Sequence, residues 1–327
     1  MRALVTGGGG FLGGALCRAL LAQGHEVVAL QRSAAPALAQ LGVEVKQGDL
    51  GDAAAVSDAA KACEVVFHVA AKAGHWGSKD DYFAANVLGT RHVLSACQIH
   101  GISRLVYTST PSVVHAGGDL EGVDERIPYA RHFLAHYPAS KAIAEREVLA
   151  ANGPALATVA LRPHLIWGPG DQHLLPRIIE RAQAGRLRLV GPPGKRIDAT
   201  YIDNAVHAHL LAAASLQPDA PQAGKAYFIS NGEPIDTEEM INRLLGCAGL
   251  PPVHSRIPFW LAYAVGALLE ATYGGLKLKG EPIMTRFVAE QLATAHWFDI
   301  SAARHDFGYQ PIVSMAQGFT ALRAALR

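Results

Sequence analysis

Cysteine is scarce and scattered. Cys17, Cys63, Cys97 and Cys247 are the only four in 327 residues, and no two make a CxxC pair. That excludes a disulfide-stapled framework and points to buried thiols in a reducing compartment. Charge is sparse too. Asp, Glu, Lys and Arg make up 17% of the chain, the net charge is +1, and no basic run exceeds two residues. Nucleic acid is therefore not an expected partner. No apolar run is long enough to span a bilayer. The greasiest window, Ile257 to Gly275, has an uncharged core from Pro258 to Leu269, about half of the roughly 20 residues required. The N-terminus lacks a secretory pattern, since a short apolar run after Arg2 enters glycines directly, so a cytoplasmic location is expected. The 15 histidines include no HExxH or paired-ligand spacing, and no metal site is expected. No GxSxG elbow or Cys/His nucleophile arrangement supports hydrolysis.

Half of the residues are apolar, enough for one large or two modest domains with a substantial core. RALVTG, HEVVALQ, GVEVKQGDL, CEVVFHVAA, SRLVYTST and LATVALRP read as strands. Between them FLGGALCRALLAQG, AAAVSDAAKAC, DYFAANVLGTRHVLSACQIHG and the segment from YPASK to about Asn152 read as helices. β-branched runs without strict alternation predict strands buried on both faces. Their alternation with helices predicts an α/β fold, a doubly wound parallel sheet of Rossmann type. After Pro163 the texture turns rich in Pro and Gly and irregular. The expected division is residues 1–165 as the nucleotide-binding domain, with a returning strand and helix near 197–230, and 166–327 as a smaller mixed region, mainly for substrate.

TGGGGFLGG lies between the first strand and the first helix. Two glycine spacings fit, Gly7, Gly10, Gly13 or Gly8, Gly10, Gly13. Either supplies a tight turn, close backbone approach to a pyrophosphate and a helix N-terminus aimed at it; Phe11 and Leu12 complete the turn. At the end of the second strand stand Gln31, Arg32 and Ser33, with no acid to hold a ribose 2′-hydroxyl. Arg32 suits a 2′-phosphate, so NADP(H) is the expected cofactor; an ordinary solvated arginine is the alternative. In GDL, Asp49 reads either as an adenine-edge contact, with Leu50 beside it, or as the cap of the helix near Ala53. YPASK places Tyr137 and Lys141 four residues apart, on one helix face. Two donors facing one pocket suggest proton chemistry; a lysine snorkelling beside a half-buried tyrosine is the alternative.

Taken together, TGGGGFLG, GDL, HVAA, YTST, YPASK, LRPHLIWGPGD and TYIDN resemble the extended short-chain dehydrogenase/reductase family along nearly the whole chain. AAKAGHWGS, YTSTPSVVH, AYFISNGEP and EQLATAHWF are similar to its 3β-hydroxysteroid dehydrogenase branch, and within that to reductases of 2-alkyl-3-ketoalkanoic acids in bacterial long-chain olefin synthesis. The resemblance implies a catalytic set of Tyr137, Lys141 and Thr110, with Ser109 and Ser112 flanking the last. It implies Ala70 and Ala71 under the cofactor ribose, Asn86 supporting the site, and Pro163 and Ile166 holding the nicotinamide. The implied chemistry is proton donation by Tyr137 to a carbonyl, with the Lys141 ammonium and the positive nicotinamide of the oxidised cofactor lowering the phenol's pKa, Lys141 also bonding the nicotinamide ribose, and Thr110 bonding the substrate oxygen. The implied partners are a long-chain apolar keto acid, other enzymes of the olefin pathway and a second copy of the chain in a homodimer. A sterol or 3β-hydroxysteroid substrate is the runner-up, a nucleotide sugar a further alternative, and a redox sensor without turnover a different class.

His68 follows a buried strand and is expected to be a hydrogen-bonded structural residue. His75 and Trp76, after the fourth strand, are expected either to face substrate or to pack their loop; Trp260 is a third substrate-facing expectation. Phe259 to Leu269 is apolar all round, fitting a buried helix as well as a lid or docking surface.

Overall fold

The computed structural model describes residues 1–327. β1 (Arg2–Thr6), β2 (Glu26–Gln31), β3 (Glu44–Gln47), β4 (Val65–His68) and β5 (Arg104–Thr108) alternate with α1 (Phe11–Ala22), α2 (Pro36–Gln40), α3 (Ala53–Ala60), α4 (Lys79–Phe83) and α5 (Gly89–His100). Then come β6 (Leu120–Val123), α6 (His136–Ala150) and β7 (Ala157–Pro163). Seven strands form one sheet in the order Lys225–Ile229, β7, β5, β4, β1, β2, β3, and every pair in it is parallel. Residues of one strand alternate between the two faces: Ala3 and Val5 join a core of 45 buried residues, and Leu4 joins one of 18. This is the Rossmann-type fold expected from the β-branched runs. Strand order reverses at β1, between β2 and β4, so the ligand crevice of such a sheet opens at the C-terminal ends of β1 and β4.

A second sheet of four short strands joins Ile235–Asp236, Arg196–Ile197, His296–Phe298 and β6. Its member β6 comes from within residues 1–165, so the chain crosses between the two sheets more often than a division at 165 implies. The long helix expected from Asp81 to Gly101 is interrupted by a π-helical turn at Ala84–Leu88 between α4 and α5. That wider turn directs Asn86 inward, where it is buried. α5 ends, as read, at Gly101 with a φ of +65°.

Two expectations need correction. Asp49 is not the cap of α3. It accepts from the Gly51 amide, and the cap is Asp52, which accepts from Ala54 and Ala55. The reading of the apolar window as a helix buried on all sides is also wrong. The helix Phe259–Gly275 buries only Ala262 and Gly266, while Trp260 and Leu268 are 69% and 67% exposed. The reason lies at Gly266: a Cβ there would meet the Thr285 carbonyl carbon at 2.6 Å. A narrow small-residue seam thus docks the helix closely on the backbone before the helix Arg286–Ala293. No helix is long and apolar enough to cross a membrane.

Candidate active site

The glycine turn forms a cradle at the switch point. Gly7 donates to the Leu30 carbonyl at 2.7 Å and accepts from the Gly10 amide at 2.9 Å. Its φ of +72° and its closeness to Ala70 leave no room for a side chain. At Gly13 a Cβ would stand 2.1 Å from the Gly7 carbonyl oxygen. Gly8 is closed off differently, by the Ala29 side chain, so the spacing Gly7, Gly10, Gly13 carries the turn. α1 begins at Phe11 with no side-chain cap and no acid in its first turn. Its first amides are free to meet an anion, as a pyrophosphate requires. Leu12 is buried and Phe11 half-buried beside it.

Thr6 locks the cradle to β4. Its hydroxyl bonds His68 Nδ1 at 2.8 Å and accepts from the Val69 and Ala70 amides at 3.1 Å. His68 Nε2 bonds Thr90 at 2.9 Å, and burial holds the ring neutral, at about 3. His68 is therefore structural, as expected, and Ala70 and Ala71 sit at the crevice mouth. At the end of β2 the Arg32 side chain is exposed; only its carbonyl is engaged, by Gln47. Asp49 is exposed and Leu50 half-buried, after β3 at the same end of the sheet.

The start of α6 and the end of β5 carry the Tyr, Lys and Thr. Lys141 is buried and donates to the Thr108 carbonyl at 2.6 Å, with its Nζ 4.0 Å from the Tyr107 ring centre. Burial pulls it down to about 7. Tyr137 is half-buried, and burial pushes its phenol up, opposed by the Thr110 hydroxyl. Burial is the larger influence on the phenol, and the Lys141 Nζ is engaged by the Thr108 carbonyl. Thr110 donates to Ser112 Oγ at 3.2 Å, whereas Ser109 Oγ is buried without a partner. Asn86 clamps the loop after β4, bonding both the Lys72 amide and carbonyl, and donates to Ser140 of α6 at 2.9 Å. Pro163 is buried at the end of β7, and Ile166, in the short strand that follows, is half-buried.

Sequence reasoning missed what lies beneath Lys141. Four residues on, Glu145 is buried and paired with Arg162 of β7. The spacing Tyr137, Lys141, Glu145 was the available signal, one helix face carried a further turn.

A cavity of about 520 Å³ opens beside this group, lined in part by His75, Trp76, Tyr82, Ala135 and His136. His75 and Trp76 therefore both line a cavity and pack their loop, His75 on Pro282 at 3.3 Å and Trp76 edge-on to Tyr273 at 6.2 Å. Trp260 does not line it and points outward, which corrects the substrate-facing expectation for that residue. No cluster of three or more His, Cys, Asp or Glu could hold a metal ion.

The sequence profile of the 3-beta hydroxysteroid dehydrogenase/isomerase family matches residues 4–259. A protein of Stenotrophomonas maltophilia named 2-alkyl-3-oxoalkanoate reductase is 56% identical, over 99% of both chains. One of the same name from Shewanella oneidensis is 52% identical, over 99% of this chain and 86% of its own. Among solved structures, the UDP-glucose 4-epimerase of Thermus thermophilus in complex with NAD superposes with a TM-score of 0.75 at 26% identity, covering 100% of this chain and 99% of its own.

Proposed function

Because the chain belongs to the 3-beta hydroxysteroid dehydrogenase/isomerase family, and is an oxidoreductase, we propose that it reduces the 3-keto group of 2-alkyl-3-oxoalkanoic acids to the 2-alkyl-3-hydroxy acids. The observation that carries this is the likeness, at 52–56% identity over nearly the whole chain, to reductases of that name. The step falls in long-chain olefin synthesis on the resemblance read from the sequence. A 3β-hydroxysteroid would use the same three polar residues, but the relatives favour the keto acid.

A nicotinamide dinucleotide supplies the hydride when bound. The uncapped turn from Gly7 to Gly13, with Phe11 and Leu12, suits its pyrophosphate; Asp49, Leu50, Ala70, Ala71, Pro163 and Ile166 are its further contacts. NADP(H) is the form we assign, because Arg32 offers a free guanidinium at the end of β2, where an acid would select NAD. Tyr137 gives its phenolic proton to the carbonyl oxygen as that oxygen becomes an alkoxide. Its raised pKa keeps the proton on the ring until then. Lys141 supplies the positive charge that stabilises the phenolate left behind, and Thr110 turns its hydroxyl to the same oxygen. Thr108, by holding the lysine, keeps that charge at the correct depth.

The test is NADPH oxidation against long-chain 2-alkyl-3-oxo acids, 3-ketosteroids and nucleotide sugars. Turnover of the keto acids is expected. Turnover confined to steroids or nucleotide sugars would overturn the reading.

A further inference from the structure

We propose that the cavity between the helix Phe259–Gly275, the start of α6 and the loop after β4 holds one alkyl chain of the substrate, and that Ala267 and Ala271 set the length it accepts. The proposal rests on the keto acid reading above.

The size fits. About 520 Å³ lies within the roughly 300–1,000 Å³ typical of small-molecule sites. So does the position. Ala135 and His136 line it and immediately precede Tyr137 in the chain, and Tyr82, another wall, stands beside His136, ring centres 6.4 Å apart.

The cavity's polar groups are largely committed elsewhere. Glu270 accepts from Arg286 twice, from Nε at 2.6 Å and from the backbone amide at 2.7 Å, so the two charges face the cavity as a neutral couple. His75 is tied to the Pro282 carbonyl, and burial disfavours its charged form. Tyr82 donates its hydroxyl to the Trp76 carbonyl at 3.0 Å and offers only its ring. The remaining walls include Trp76, Leu134, Ala135, Ala267 and Ala271. An aliphatic chain is what such a surface retains.

Gly266 seats the helix closely on the Thr285 and Arg286 backbone. Ala267 and Ala271, one turn apart, present their methyl groups to the cavity that Leu134 and Ala135 also line. A larger side chain at either position takes its volume from the ligand. Leu268, next in sequence, faces outward and lies outside the cavity.

The test is a chain-length series of 2-alkyl-3-oxo acids with Ala267→Leu, Ala271→Phe and Leu268→Ser, each checked for cooperative unfolding. For the two alanine variants, the loss in kcat/KM should be smallest on the shortest chain and grow with length. Each methylene that no longer fits should cost about fourfold, so the longest chains lose one to two orders of magnitude. Leu268→Ser should keep the wild-type profile. Equal loss at every length, or no change at any, would overturn the proposal. Calorimetric binding of unreactive 2-alkylalkanoic acids of the same lengths reads the cavity without turnover. A length-dependent loss there, with no keto acid reduced even by wild type, would support the cavity and sink only the reaction assignment.

Discussion

Arg162 and Glu145 form a two-pronged ion pair that neither shares with solvent. Arg162 Nη2 and Nε stand 2.6 and 3.0 Å from the two carboxylate oxygens, and the side chains are 3% and 0% exposed. The Tyr129 hydroxyl donates to the same carboxylate at 2.6 Å. Glu145 follows Lys141 by one helical turn, so the pair ties the inner face of α6 to β7 directly beneath the lysine. Such a pair adds little net stability over apolar packing, but removing one partner strands a buried charge, at about 3–5 kcal/mol. Arg162→Met should lower the unfolding free energy by that order in a denaturant titration, and the double change Arg162→Met with Glu145→Met should recover much of the loss. A single variant as stable as wild type would contradict the account.

Tyr137→Phe removes the proton donor and little else, since the hydroxyl is the only group lost. NADPH affinity by fluorescence titration should hardly change, while kcat falls about 10²- to 10⁴-fold. Retained turnover would exclude Tyr137 from that role.

Lys141 sits near 7 against an ordinary value of 10.5 because it is buried. Between those values the unfolded chain binds a proton that the folded chain does not. Stability from this group therefore falls as pH is lowered through that window, and the penalty is complete below about 7. Lys141→Met should stabilise the protein by up to a few kcal/mol at pH 6, less the lost bond to Thr108. The gain should shrink toward pH 10.5. Turnover should be lost at every pH. Thermal melts across pH check the sign: a variant less stable at pH 6 than at pH 10, relative to wild type, refutes it.

Much of this was legible in the sequence. The parallel sheet follows from runs such as VVFH and ATVALRP, buried along their whole length, and the glycine turn from its place between strand and helix. The returning strand Lys225–Ile229 was also readable, since AYFI has the same β-rich texture. What was missed depends on contacts between distant segments. β6 joins the second sheet by pairing with His296–Phe298, far along the chain. Glu145 and Arg162 look like surface charges until the fold buries them together. The apolar composition of the Phe259–Gly275 helix suggested burial, but the docking at Gly266 uses only a narrow stripe of it.

Arg32 is the handle on cofactor choice. Its exposed guanidinium at the end of β2 can pair with a 2′-phosphate that an acid would repel. Arg32→Asp should move the ratio of kcat/KM for NADPH over NADH toward NADH by an order of magnitude or more. A wild-type enzyme that already prefers NADH would end this argument.

Acid should unfold the protein early, through its buried histidines. Burial lowers His68 to about 3 and His115 and His209 to about 4, and His296 is lowered as well. His209 bonds Thr108 at 2.8 Å and the Ala205 carbonyl at 2.7 Å. His115 has no hydrogen-bond partner at either ring nitrogen, the Glu290 carboxylate standing 3.8 Å from its Nε2, and it packs edge-on to His296, ring centres 4.7 Å apart. Unfolded, all four would take a proton near pH 6.5; folded, they resist it. Their contribution is therefore present above pH 6.5 and is lost as pH falls toward 4, each by up to about 1.4 kcal/mol per pH unit. The unfolding free energy should drop by several kcal/mol between pH 6.5 and 4. His209→Gln can keep the bond to Thr108 without taking a proton and should flatten that slope by roughly one histidine's share. An unfolding free energy independent of pH across this range would mean that these rings are solvated, contrary to the packing described.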